Sequence, residues 1–159
     1  MNNVSNKEDL KSIGLFSDLT EEEFDVLSDV MERRIFSSGE DIFKEGEQGQ
    51  TLYVIKKGEV EIHKRDPSGQ KHTITMLEDD AIFGELSFIS GKPHSAMISA
   101  VTDTETYLLS MDDFEKILPE YPYLVFKIMK YIVLNIRTVV GGMNRKHLEM
   151  MDYMWGRTR

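Results

Sequence analysis

The chain has 159 residues, about the length of one domain, and 40% of them are apolar and 30% charged, which is typical of a globular protein with a sizeable core. Its formal net charge of −9 argues against nucleic acid or an anionic membrane as a bulk partner, because both require a basic face. With no cysteine, a polar start unlike a signal peptide and no apolar run of the ~20 residues that span a bilayer, we expect a cytoplasmic protein without disulfides.

Two helices are predicted in residues 1–34. The first is short and is expected to end near Ile13. In the second, Thr20 and Glu23 have the spacing of a capping box, and an apolar stripe follows them through Phe24, Leu27, Val30 and Met31. We expect this second helix to end near Arg33.

From Ile35 the apolar period changes to two, which indicates β-strands. Glycines separate the short strand-like runs, and Asp66-Pro-Ser-Gly69 is typical of a hairpin turn. The alternation returns at 72–77, and the segments 97–100 and 106–109 supply the closing strands. Several short strands at even spacing predict a roll or a barrel over residues 35–110.

Two helices are predicted after the strands. Ser110 can cap a short helix that Pro119 ends, and Pro122 opens a last helix. Apolar residues follow an approximate heptad spacing along this last helix: Ile132, Ile136, Val139, Met143, Met150 and Met154. A helix over 124–154 would be about 46 Å long, more than one small β-roll covers. It either folds back on its own domain or, as we prefer, pairs in a homodimer, and Gly141-Gly142 weakens both arrangements.

The stretch from Phe83 to Ala100 reads F-G-E-L-S-F-I-S-G-K-P-H-S-A-M-I-S-A. Gly84 lets the backbone approach a ligand closely, Glu85 offers a carboxylate, and the turn that follows has free N–H groups able to face a phosphate. A Gly-Glu pair before an apolar turn also occurs in ordinary strand-to-helix connections. The spacing alone therefore leaves both interpretations open.

This stretch resembles, without a gap, the phosphate-binding cassette of cyclic nucleotide-binding domains, which occur in kinase regulatory subunits, cyclic nucleotide-gated channels and bacterial catabolite activator proteins. The residues that match are Gly84, Glu85, Leu86, Ser87, Pro93, Ser95 and Ala96. The run from Ile42 to Gly58 resembles a second pattern of the family and departs from it only at Phe43. One cassette position also departs, because His94 stands where the family carries an arginine that pairs with the cyclic phosphate.

The resemblance implies a mainly β fold with flanking helices, specifically an eight-stranded, jelly-roll-like β-roll in a single domain over 1–159. Residues 1–34 would form N-terminal helices, 35–110 the roll with the cassette at 83–100, and 111–155 the C-terminal helices. It also implies a non-catalytic regulatory domain of signal transduction that binds cAMP or cGMP and no metal. The implied ligand-binding residues are Gly84, Glu85, Leu86, Ser87, His94 and Ser95, with Glu85 accepting a hydrogen bond from the ribose 2′-hydroxyl.

His94 has two interpretations. It either replaces the arginine as a phosphate partner that donates one or two hydrogen bonds, or it is a surface histidine in a cassette that no longer binds nucleotide. If the pocket is blocked elsewhere, the bulky Phe88 and Met97 are the first candidates. Val139 and Val140 align with the base-contacting part of the family's last helix, but they are better explained as core residues.

Two further functions were weighed against the receptor. A degenerate domain could serve only as a protein-interaction or dimerisation module. A metal-dependent cupin enzyme shares the roll architecture, but the four histidines lack the H-x-H spacing of its metal ligands. Bacterial activators of the family carry a helix-turn-helix domain after the last helix, whereas this sequence stops at Arg159, so we do not expect it to read DNA.

Overall fold

The computed structural model describes residues 7–136 and confirms the predicted mainly β fold, an eight-stranded β-roll with flanking helices. Helices α1 (Lys7–Lys11) and α2 (Glu21–Val30), with a 3-10 turn (Gly14–Phe16) between them, precede the strands, and α4 (Met111–Ile117) and α5 (122–136) follow. The strands are β1 (Glu32–Phe36), β2 (Asp41–Phe43), β3 (Thr51–Lys57), β4 (Val60–Arg65), β5 (Lys71–Leu77), β6 (Ile82–Phe83), β7 (Met97–Ala100) and β8 (Thr104–Ser110). Helix α3 (Glu85–Ser90) connects β6 to β7.

Helix α2 begins at the predicted capping box. Thr20 Oγ1 accepts a hydrogen bond from the Glu23 N–H at 3.2 Å, and the Thr20 N–H donates to the Glu23 carboxylate at 2.9 Å. The helix ends at Val30, so the prediction that it continues to Arg33 is wrong. Arg33 lies in β1, which pairs antiparallel with β8, and its side chain donates to Glu105 across that pair at 2.6 Å. The first strand therefore begins inside the segment that the sequence assigns to the N-terminal helices.

The strands form two four-stranded antiparallel sheets, in the orders β1-β8-β3-β6 and β2-β7-β4-β5. The β4–β5 hairpin turns at Asp66 as predicted, because its carboxylate accepts hydrogen bonds from the N–H groups of Ser68 at 2.9 Å and Gln70 at 3.0 Å. Both sheets contribute to one apolar cluster, which contains Phe43, Ile55, Val60, Phe83 and Ile98.

A larger apolar cluster joins the helices to the first sheet. It includes Leu27 of α2, Leu52 of β3, Phe114 of α4 and Ile128 of α5. Burying a side chain of this size stabilises the fold by about 1.5–3 kcal/mol, so this cluster fixes the helices against the roll. Among residues 7–136 there is no helix with both the length and the apolar character that crossing a bilayer requires.

Helix α5 starts at residue 122, as Pro122 predicts, and packs against its own domain. Ile132 is fully buried and Ile136 packs on the same cluster, so for these two residues the fold-back interpretation of the heptad stripe is correct. The rest of the predicted stripe, the Gly141-Gly142 pair and the valines at 139 and 140 lie outside the described residues. On its other side α5 exposes large apolar side chains: Tyr123, Phe126, Val133 and Leu134.

Candidate functional site

A cavity of about 100 Å³ lies between the cassette and the second sheet. Phe43 of β2, Ile62 of β4 and Ile98 of β7 form part of its apolar wall. The structure brings together at this cavity all six candidate residues from the sequence: Gly84, Glu85, Leu86, Ser87, His94 and Ser95. The cassette and the strands thus surround one small space.

Gly84 forms the corner at which β6 turns into α3. Its φ of 76° is left-handed, and a Cβ at this position would lie 2.8 Å from the Thr51 carbonyl oxygen and 3.1 Å from the Tyr53 ring. Only glycine meets both the conformational and the steric requirement. Its carbonyl accepts the first helical hydrogen bond, from the Phe88 N–H at 2.9 Å. The tight corner holds the start of α3 beside the cavity.

The carboxylate of Glu85 is half-buried at the cavity. Burial raises its pKa, and the hydrogen bond from its own amide N–H offsets part of that rise. A carboxylate deprived of water in this way is stabilised by any donor that enters the cavity. A ligand hydroxyl is a donor of the right kind.

The remaining cassette residues differ in exposure. The Ser87 side chain is buried, whereas Ser95 is exposed. Leu86 is 59% exposed although it also lines the cavity. The cassette therefore offers hydroxyl groups on both the inner and the outer side of the cavity and an apolar side chain at its rim.

The His94 ring is folded into the protein and is only 7% exposed. It lies flat on the Phe43 ring, with a centroid separation of 3.5 Å and an interplanar angle of 9°. Its backbone is held by two hydrogen bonds, from its N–H to the Glu47 carbonyl at 2.9 Å and from the Gly46 N–H to its own carbonyl at 2.8 Å. The prediction of a surface histidine is therefore wrong, because the ring is buried.

Burial lowers the pKa of His94, and the nearby negative charge of Glu47 only partly opposes this effect. An ordinary histidine pKa is about 6.5, so the ring is neutral at neutral pH. Among residues 7–136, no lysine or arginine lines the cavity. From this part of the chain, a phosphate at neutral pH would therefore meet hydrogen-bond donors but no positively charged side chain.

Sequence reasoning missed the partners of His94. Phe43 and His94 are the two positions that depart from the family patterns, and the structure brings them into direct contact. Gly49 packs directly against the edge of the histidine ring, since a Cβ at this position would lie only 2.6 Å from His94 Nε2. The sequence held one signal for this contact: Phe43 and His94 depart from two family patterns that belong to the same domain.

The two suspected blocking residues are not at the cavity. Phe88 is fully buried in the larger apolar cluster, where its ring meets Phe114 edge-on at 5.3 Å, and Met97 is not part of the cavity lining. Phe43 and His94, by contrast, both line it.

No metal-binding arrangement is found among the described residues, since residues 7–136 hold no group of three or more His, Asp or Glu side chains suited to a metal ion. His63 is buried in the second sheet, where Nε2 lies 2.9 Å from the Ser99 hydroxyl and that hydroxyl donates to Asp41 at 2.7 Å. This histidine supports the sheet and does not face the cavity.

Comparison with known proteins agrees with the geometry. The family model for the cyclic nucleotide-binding domain matches residues 33–121. The cyclic AMP receptor protein of Thermus thermophilus is 30% identical over 128 residues, which cover 80% of this chain and 59% of that protein. A solved cyclic nucleotide-binding domain from Methylobacillus flagellatus has 29% identity and a TM-score of 0.71, covering 90% of this chain and 78% of that one.

A third relative is the regulatory subunit of a cAMP-independent protein kinase A from Trypanosoma brucei, with 28% identity and a TM-score of 0.65 over 78% of this chain and 44% of that one. A triple mutant of that subunit, with threonine to arginine among its replacements, is solved with cAMP in its A site. The chain spans less than two thirds of the Thermus and Trypanosoma proteins. Together with the β-roll, the match over residues 33–121 shows that this chain belongs to the cyclic nucleotide-binding domain family.

Proposed function

We propose that this domain is a non-catalytic cytoplasmic receptor for a cyclic nucleotide, cAMP or cGMP, in signal transduction. The observation that carries the proposal is the convergence of Glu85, Ser87, His94 and Ser95 on one cavity beside the left-handed Gly84. These groups offer one carboxylate acceptor, two hydroxyls and an imidazole, which match the hydroxyl and phosphate groups of a cyclic ribonucleotide.

Each group has a proposed role. The Glu85 carboxylate accepts a hydrogen bond from the ribose 2′-hydroxyl, which satisfies a half-buried charge. The backbone at Gly84 to Ser87 and the Ser95 hydroxyl donate to the cyclic phosphate. His94 takes the place of the family's arginine and supplies an N–H donor, with a positive charge only when it is protonated. Binding would then be weaker than with arginine, whose planar fork binds phosphate through two hydrogen bonds.

The second candidate is a degenerate domain that serves as an interaction or dimerisation module without binding nucleotide. The size of the cavity favours it, because about 100 Å³ is well below the ~300–1,000 Å³ typical of ligand pockets. The Trypanosoma relative is described as cAMP-independent, and its cAMP-bound form contains an introduced arginine. This likeness supports testing an arginine at position 94 beside the wild-type protein.

Isothermal titration calorimetry with cAMP, cGMP and 2′-deoxy-cAMP distinguishes the two candidates. The receptor predicts binding of a ribonucleotide, weakened about tenfold to a hundredfold by Glu85→Gln, because a hydrogen bond to a charged group contributes about 1.5–3 kcal/mol. The matched control is Glu78→Gln, which changes an exposed carboxylate that does not line the cavity.

The 2′-deoxy ligand makes the test specific. It should bind as weakly to the wild type as the ribonucleotide binds to Glu85→Gln, and Glu85→Gln should not weaken it further. Equal affinity of the wild type for both ligands would remove Glu85 from ribose recognition. No heat of binding for any ligand, in the wild type and in His94→Arg, would reject the receptor in favour of the interaction module.

A further inference from the structure

The stacked rings of Phe43 and His94 join two distant parts of the chain across the cavity. Phe43 belongs to β2, a strand of three residues, and His94 lies in the irregular segment between α3 and β7. Their parallel planes and separation of 3.5 Å give a close contact between two buried rings. We refer to this pair as the Phe43–His94 latch.

Both rings of the latch line the small cavity, and Gly49 packs against the histidine edge on the side of the β2–β3 loop. The space that remains is well below the ~300–1,000 Å³ typical of ligand pockets, and movement of either ring would enlarge it. The histidine is the ring that can move, because its segment is irregular and exposed at Lys92, Pro93 and Ser95.

We propose that Phe43 sets the affinity of the cyclic nucleotide site, because it holds His94 in a closed position that a ligand must open. This inference rests on the proposed function. The chain then exists in a closed state, with the rings stacked, and an open state, with His94 released. The apparent affinity for ligand is the intrinsic affinity of the open state reduced by the fraction of molecules that are open.

The proposal predicts that a substitution at Phe43 tightens ligand binding, which the family role of the cassette alone does not predict. Phe43→Leu removes the aromatic partner of His94 and keeps an apolar side chain, so it raises the open fraction. Aromatic pairs of this kind correspond to about twofold to tenfold in an equilibrium constant. Phe43→Leu should therefore bind cAMP about twofold to tenfold more tightly than the wild type, mainly through a faster association rate.

Gly49→Ala opens the latch from the other side without touching the apolar cluster. The new Cβ would lie 2.6 Å from His94 Nε2, so the histidine ring must move away. Gly49 lies in a loop and does not have a positive φ, so alanine is compatible with its backbone. This second variant gives the same expected gain in affinity and guards against a loss of folding in Phe43→Leu.

Calorimetry and stopped-flow binding of cAMP to seven proteins provide the test: the wild type, Phe43→Leu, Gly49→Ala, His94→Ala, His94→Arg, the double variant Phe43→Leu/His94→Ala and the control Phe36→Leu. Phe36 is buried on β1 in the other sheet and does not line the cavity, so it controls for a general effect of losing a buried ring. The latch predicts that Phe43→Leu tightens binding in the presence of His94 and changes it less than about twofold in the His94→Ala background.

The ligand-free protein gives an independent readout. Ring protons of His94 that lie over the Phe43 ring should be shifted upfield in proton NMR spectra, and the shift should disappear in Phe43→Leu and Gly49→Ala but persist in Phe36→Leu. The signals are assigned by their absence from His94→Ala.

Several outcomes would overturn the latch. An equal gain from Phe43→Leu with and without His94 would mean that only the larger space matters. Weaker binding in Phe43→Leu, or no upfield shift in the wild type, would contradict the closed state. If no variant binds, His94→Arg included, the proposed function fails and the role of the latch in it fails as well. If ligand binds without coupling between Phe43 and His94, the latch alone fails.

Discussion

Replacing His94 by arginine tests most directly how this cavity handles a negative charge. His94 is buried, burial lowers its pKa, and none of the described residues that line the cavity is a lysine or an arginine. Arginine restores a permanent charge and a planar donor fork for the phosphate. The gain over a neutral imidazole is about 1–3 kcal/mol at pH 8, or about fivefold to a hundredfold in Kd.

The wild type should show a pH dependence that the arginine variant lacks. A phosphate stabilises protonated His94, so the pKa in the complex is higher than in the free protein, and binding takes up a proton between the two values. Affinity therefore rises as pH falls through the pKa of the complex toward that of the free protein. Because burial lowers the latter below about 6.5, the gain continues below pH 6.5, with a limit of about tenfold per pH unit for one proton.

Calorimetry with cAMP from pH 8 to pH 5.5, in buffers of different ionisation enthalpy, measures both affinity and proton uptake. Two other acidic groups face this region, Glu47 beside the imidazole and Glu85 in the same cavity. Repeating the series in Glu85→Gln separates the titration of Glu85 from that of His94. A flat affinity in the wild type, together with no gain in His94→Arg at pH 8, would refute the phosphate role of position 94.

Three further predictions concern stability and assembly. Burial lowers the pKa of His63, so the unfolded chain binds a proton more readily than the folded one. Stability to urea should therefore fall as the pH drops below about 6.5, and it should fall less steeply in His63→Gln. Asp80 has a left-handed φ of 72° and accepts a hydrogen bond from the Gly14 N–H at 2.5 Å. Asp80→Ala should therefore be less stable than the wild type by about 1–3 kcal/mol in thermal unfolding. Asp80→Gly should lose less stability, because glycine adopts a left-handed φ without strain. If the chain pairs through its C-terminal helix as expected, the wild type should sediment as a dimer well above micromolar concentration. Phe126→Glu, which places a charge on the exposed side of α5, should sediment as a monomer. A monomeric wild type would exclude this dimer.

Local sequence signals predict much of the fold. The capping box at Thr20, the turn carboxylate of Asp66 and the helix cap of Ser110 each lie within a few residues of their hydrogen-bond partners, so sequence spacing is enough to find them. The start of β1 could not be predicted in this way. Its charged residues are held by pairing with β8, far along the chain, and an exposed edge strand shows no apolar alternation.

The candidate site was predictable in its membership but not in its geometry. The cassette motif identifies the residues that surround the cavity, because they are neighbours in sequence. The stacking of His94 on Phe43 is a tertiary contact, and nothing in either motif alone specifies it. The heptad pattern of the last helix likewise does not reveal that Ile132 faces its own domain.

The pairing of the first strand with the last has a consequence for how the chain folds. The ion pair between Arg33 of β1 and Glu105 of β8 joins residues 72 positions apart, and β8 lies between β1 and β3 in the first sheet. Such non-local pairing is slow, because a long loop must close before any contact is gained. Among the described strands β1 pairs with β8 alone, so during synthesis it waits until β8 has left the ribosome, whereas the β4–β5 hairpin can form as soon as both of its strands are made. The second sheet is therefore expected to start folding first, and a chain truncated before Thr104 would leave the first sheet without one of its two central strands.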